Sequence, residues 1–146
     1  MIARALFLFL LGSCSIAQGS EQLGCPYPSS IKFRDGHFQS ENGQWKSLEV
    51  EAASFLDRFV GAVFVPLEGQ QRQQGYVEYC LYKAGNNQWV NLRFQAPERH
   101  FSMSLTDSLH WVPARGPFEQ DIYLCTDSQP DNCSFTLKRS KSWPGR

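Results

Sequence analysis

The sequence predicts an all-β domain, an antiparallel sandwich or barrel with at most one short helix, braced by two disulfides. Three observations predict it. Apolar and polar residues alternate along several runs, the period of a half-buried strand. Gly- and Asn-containing turn signals separate those runs at short spacing. Four cysteines follow an apolar leader, and an even count in an exported chain reads as disulfides.

The leader comes first. Residues 1–17 read as a secretory signal, with Arg4 as the cation and Ala5 to Leu11 as the apolar run. Small polar residues, Gly12 to Ser15, follow. The run is far shorter than the roughly 20 residues that span a bilayer. Ser15-Ile16-Ala17 is a small-x-small cleavage site, which would start the mature chain at Gln18. Leu11-Gly12-Ser13-Cys14 also resembles a lipobox. That reading puts a lipid anchor on Cys14 and a Gly/Ser/Gln-rich tether behind it. The soluble product is preferred, because the spacing from Leu11 to Ala17 suits ordinary cleavage.

Either route removes Cys14 from the count and leaves Cys25, Cys80, Cys125 and Cys133. Four cysteines allow three pairings, and sequence alone does not choose among them. The preferred one is Cys125–Cys133 with Cys25–Cys80. The residues between Cys125 and Cys133 are almost all turn formers, able to close a short loop. No Cys-x-x-Cys pair occurs, and His37, His100 and His110 fall at no zinc-ligand spacing. No metal and no cofactor is therefore expected. Asn132-Cys133-Ser134 matches a glycosylation sequon, but a disulfide cysteine at its centre favours coincidence.

Strand and turn signals then run along the body. Asp35-Gly36 and Asn42-Gly43 are both two-residue hairpin signals. From Leu48 to Val60, apolar residues at 48, 52, 55, 56, 59 and 60 fit one short helix. Phe59 to Val65 is apolar throughout and ends at Pro66, as a buried strand would. Glu68 to Gly75 is a polar connection that can present hydrogen-bonding groups, Arg72 among them. Tyr76 to Tyr82 is apolar on nearly both faces and reads as a central strand. Gly85-Asn86-Asn87 turns the chain into Trp89 to Gln95, with Val90, Leu92 and Phe94 inward. Leu109-His110-Trp111 is a short strand-like run. Cys133 to Lys138 closes the series with Cys133, Phe135 and Leu137 inward.

A chain of 146 residues with 42% hydrophobic content holds one domain and is not disordered. Zero formal net charge argues against nucleic acid. That zero conceals an uneven distribution. Residues 18–137, the single β-rich domain, carry nine cations against fourteen acids. The tail, residues 138–146, carries four cations and no acid. Such a tail could touch an anionic membrane surface or an acidic partner, although a solvated terminus is the preferred account.

The chain shows no Gly-x-Ser-x-Gly elbow, no His-Glu-x-x-His and no phosphate-cradling glycine loop. Ser104, Asp107 and His110 could meet only through folding, and those types are too common to signal a triad. Aromatics, at 14%, are the remaining unusual feature. Most must fill the core, with Trp111 favoured there too. His110, Trp111, Trp143 and Arg72 are the candidate partner contacts, Trp143 because it stands among cations.

Cys25-Pro-Tyr-Pro, Ile31-x-Phe33, Asp35-Gly36, Trp45 and Gly75-Tyr-Val-Glu-Tyr-Cys80-Leu-Tyr together carry a resemblance. The chain resembles a family of small exported bacterial proteins of uncharacterised function. Some of its members are described as periplasmic accessories of type IV secretion. The resemblance implies an envelope location and two disulfides, and supplies no catalytic residues. The expectation is a non-enzymatic periplasmic protein that binds a protein partner in the cell envelope, an accessory of type IV secretion. Two alternatives stand beside it. One is an inhibitor or immunity protein against a cell-wall hydrolase. The other is a small secreted hydrolase or ligand-binding barrel. A homo-oligomer is compatible with each.

Overall fold

The computed structural model describes residues 20–51, 55–95 and 101–139. The expected signal with Cys14, and Trp143 in the tail, lie outside the described residues. Among the described residues, eleven strands form one antiparallel sheet: β1 (Ser20–Leu23), β2 (Ile31–Arg34), β3 (His37–Ser40), β4 (Trp45–Ser47), β5 (Leu56–Pro66), β6 (Gly75–Ala84), β7 (Trp89–Phe94), β8 (Phe101–Ser104), β9 (Trp111–Arg115), β10 (Asp121–Thr126) and β11 (Phe135–Arg139). Short 3-10 turns at Pro28–Ser30 and Pro130–Cys133 are the helical turns among the described residues. The sheet curls into a half-barrel.

Strand β6 organises the topology. One of its edges pairs with β5 along nearly its whole length. On the other side it meets two strands, β7 across Cys80–Lys83 and β8 at Gly75. One arm continues from β7 through β4 and β3 to β2, the other from β8 through β11 to β1. Strands β10 and β9 extend the sheet beyond β5.

The curl brings distant strands together over a concave, apolar interior. Trp45 on β4 packs edge-to-face on Phe94 at 5.2 Å and on Phe135 of β11 at 6.1 Å. Trp111, at the start of β9, packs on Phe64 and donates its indole N–H to the Ser134 carbonyl at 2.9 Å. Tyr82 is fully buried against Phe59, and its hydroxyl donates to the Pro26 carbonyl at 2.6 Å. Edge-to-face pairs add about 0.5–1.5 kcal/mol each beyond their buried area.

The disulfides are Cys25–Cys80 and Cys125–Cys133, the preferred pairing. Asp35 and Gly36 both take positive φ, at 51° and 81°, and turn β2 into β3 as a two-residue hairpin. Asn42-Gly43 departs from expectation. The β3–β4 loop has four residues, 41 to 44, and only Gly43 of the pair takes positive φ. Asn42 works through its side chain instead, accepting from Ser40 Oγ and the Gln44 N–H. The helix expected over Leu48–Val60 is corrected. Leu56 to Val60 are strand, while residues 52–54 lie outside the described residues. Pairing to β6 overrides the helical spacing there, and register shifts at Leu56/Arg58 and Phe59/Gly61 disturb the strict two-residue alternation.

The Cys25–Cys80 bridge spans 55 residues and Cys125–Cys133 spans eight. Replacing each pair by alanines should therefore cost unequal amounts in urea denaturation. The chain-entropy relation gives about 4 kcal/mol for the first and about 2.5 kcal/mol for the second. The reverse order would show that the short bridge holds more than its own loop.

Candidate functional site

Strands β6, β5, β10 and β9 are apolar on both faces. Their inner face carries Ala62, Phe64, Cys80, Tyr82, Trp111, Tyr123 and Cys125, all within the core. Their outer face should be polar if water covered it. The register shows otherwise. Val112 stands opposite Leu124, Leu124 opposite Val63, and Val63 opposite Tyr79. This apolar rung crosses four strands. A second rung lies beside it. Ala114 pairs with Ile122, the same register sets Ile122 beside Val65, and Val65 pairs with Tyr76.

Exposure agrees with this placement. Ile122 is only 8% exposed yet stands outside the core cluster, so neighbours on the outer face bury it. Val112 is 56% exposed, and Phe118 at the tip of the β9–β10 hairpin is 87% exposed. Tyr76 is exposed too, and Val63, Val65, Tyr79, Ala114 and Leu124 are half-buried, so the face is apolar but only partly open.

A groove of about 660 Å³ lies at this end of the sheet, lined by residues of the second rung together with Pro113 and Tyr123. Val65, Ile122 and Ala114 contribute to it, with the loop Leu67–Gln71 on one side and Gln120–Asp121 on the other. Its charged lining residues are both acids, Glu68 and Asp121. Arg115 pairs with Asp121 at 2.9 Å, an exposed contact of small value. Close backbone approach joins β5 to β10: a Cβ on Gly61 would run into the Cys125 carbonyl, so the two strands meet here only as glycine allows.

Arg72 faces inward rather than outward. Its guanidinium donates to the Trp111 carbonyl at 2.9 Å, to the Leu105 carbonyl at 3.3 Å and to the Ser108 carbonyl. It also lies over the Tyr123 ring at 5.4 Å. The Arg72 carbonyl accepts from the Leu105 N–H. One residue thus clasps the whole 105–111 connection. Trp111, 2% exposed, likewise belongs to the core. Arg72 is half-buried and Trp111 buried. Arg72 is anchored by carbonyl acceptors, and Trp111 fills the concave interior. His110 is exposed, and Trp143 lies outside the described residues. Ser104 is buried beside Thr106, and among the described residues no hydrogen bond joins it to His110 or Asp107. Sequence reasoning missed the outer face. Its signal was present in Val63, Val65, Ile122 and Leu124, but only cross-strand register reveals the rungs.

The shifted titratable groups lie elsewhere. The Tyr27 hydroxyl donates to the Asp131 carboxylate, which raises its pKa. Burial raises Tyr82. The Gln129 N–H donating to Asp127 lowers that carboxyl. Among the described residues, no group of three or more His, Cys, Asp or Glu is arranged to hold a metal.

The sequence profile described as "Protein of unknown function (DUF3757)" matches residues 19–136. The chain belongs to this family. No curated protein and no solved structure matches it. The DUF3757 profile covers every outer-face residue named above.

Arg72→Ala would take the cationic donor from three carbonyls, of which that of Leu105 keeps the Ser108 N–H. A loss of about 2–4 kcal/mol is expected in urea denaturation, since bonds to charged groups are the costly ones to break. Arg72→Lys should recover less than half, because an ammonium lacks the planar fork. Full recovery by lysine would show that charge alone suffices.

Proposed function

We propose that this chain is an exported, non-enzymatic binding module whose protein partner packs against the outer face of β9, β10, β5 and β6. The observation that carries the reading is the pair of apolar rungs on a face outside the core. Two disulfides are compatible with an extracytoplasmic compartment, where such bonds persist. The leader-like residues 1–17 support export. The setting we propose is the bacterial envelope, with the chain as an accessory of type IV secretion, and its support is the resemblance described above. The partner's complementary surface is apolar at its centre. Cations at its edge would answer Glu68 and Asp121.

The test places a photo-cross-linking residue at Val112, at Leu124 or, as a control, at Lys32 on β2, in the native envelope. The first two should yield the same discrete adduct, and Lys32 should not. Val63→Lys should reduce that adduct at least tenfold, because a charge would be buried without a partner. Equal yields from all three positions, or none from any, reject this face as the interface.

A further inference from the structure

A second surface lies at the opposite side of β6. Strand β4 leaves β7 at Ser47, opposite Leu92. From there the chain diverges through Leu48, Glu49 and Val50, and the Val50 N–H donates to the Gly36 carbonyl at 2.8 Å. Among the described residues, Trp89 to Asn91 have no strand partner on that side. A notch of about 260 Å³ fills the gap, near the lower end of small-molecule sites, about 300–1,000 Å³.

Its walls have a particular chemistry. Trp89 is 57% exposed although it sits in a strand. The Lys83 ammonium lies over its ring at 4.4 Å and also donates to Asn87 Oδ1 at 3.0 Å. That pair fixes the indole from the β6 side, and the notch lies on the β4 side. Asn91, Arg93 and Glu49 border the same space. Arg93 reaches Glu78 through one nitrogen at 2.6 Å and keeps other donors. Among the described residues, the side chains of Asn91 and Glu49 make no hydrogen bond.

These groups select among ligand classes. A purely apolar ligand would leave Asn91, Arg93 and Glu49 unanswered. A cation would meet a ring already carrying the Lys83 ammonium. An anion attracted by Arg93 would face Glu49. A neutral ring with one apolar face and a rim of hydroxyls meets every requirement. We propose that the Trp89 notch binds a saccharide. One pyranose ring stacks its C–H face on the indole, and Asn91, Arg93 and Glu49 hydrogen-bond its hydroxyls. This site is separate from the outer-face interface and does not depend on it.

Saturation-transfer NMR on the whole protein tests the proposal, with chitotriose, cellotriose and maltotriose as probes. At least one should bind with a dissociation constant in the roughly millimolar range or tighter. Trp89→Ala should abolish the transfer, Trp89→Phe should keep part of it, and Asn91→Ala should weaken binding about fivefold or more. Val63→Lys should leave saccharide binding unchanged, which separates this site from the protein interface. If Trp89→Ala does not fold, the Trp89→Phe and Asn91→Ala results decide. Absence of transfer from all three probes, or wild-type binding by Trp89→Ala or Asn91→Ala, overturns the proposal.

Discussion

Everything in this fold follows from the division of one edge of β6 between two strands. Strand β7 takes Cys80–Lys83, and β8 takes Gly75. An antiparallel sheet that branches in this way has two arms that diverge from a common strand. They meet again only because the curl folds them over one interior. Trp45 and Phe135 mark where the arms converge, and Trp111 and Ser134 join β9 to the start of β11. Gly75 sits at the branch, where a Cβ would collide with the Val65 carbonyl. Side-chain packing and backbone clearance therefore meet at one point on β6.

The same strand links the scaffold to its surfaces. Cys80 and Tyr82 fasten the N-terminal segment to the inner face, through the Cys25 disulfide and the Pro26 carbonyl. Tyr76 and Tyr79 belong to the apolar rungs outside. Lys83, two residues beyond a core cysteine's outward neighbour Leu81, orients Trp89. A rigid central strand holds both surfaces in fixed relation, the usual way a scaffold presents a site.

Much of this was legible in the sequence, and the reasons are local ones. Asp35-Gly36 reads correctly because both residues tolerate positive φ, and nothing distant competes. Tyr76 to Tyr82 reads as central because a strand apolar on both faces needs cover on both. The Cys125–Cys133 loop reads from its turn formers. What failed was non-local. Leu48 to Val60 shows helical spacing that pairing with β6 overrides. Arg72 reads as a loop residue that presents hydrogen-bonding groups, but the three carbonyls it reaches belong to a connection distant in sequence. The outer face was invisible for the same reason: no single strand contains a rung.

Pro113 lies in the middle of β9, the last strand on its side of the sheet among the described residues. Proline offers no N–H to an incoming strand. The Trp111 carbonyl, two residues earlier, is already engaged by Arg72. Backbone pairing at this border is therefore interrupted, which guards it against edge-to-edge aggregation. A partner at the proposed interface would have to meet the apolar rungs beside it from above, with a surface laid flat on the side chains. Recognition of that kind would depend on contour rather than on main-chain geometry. A flat, side-chain surface can change its specificity one residue at a time while the sheet beneath it stays the same.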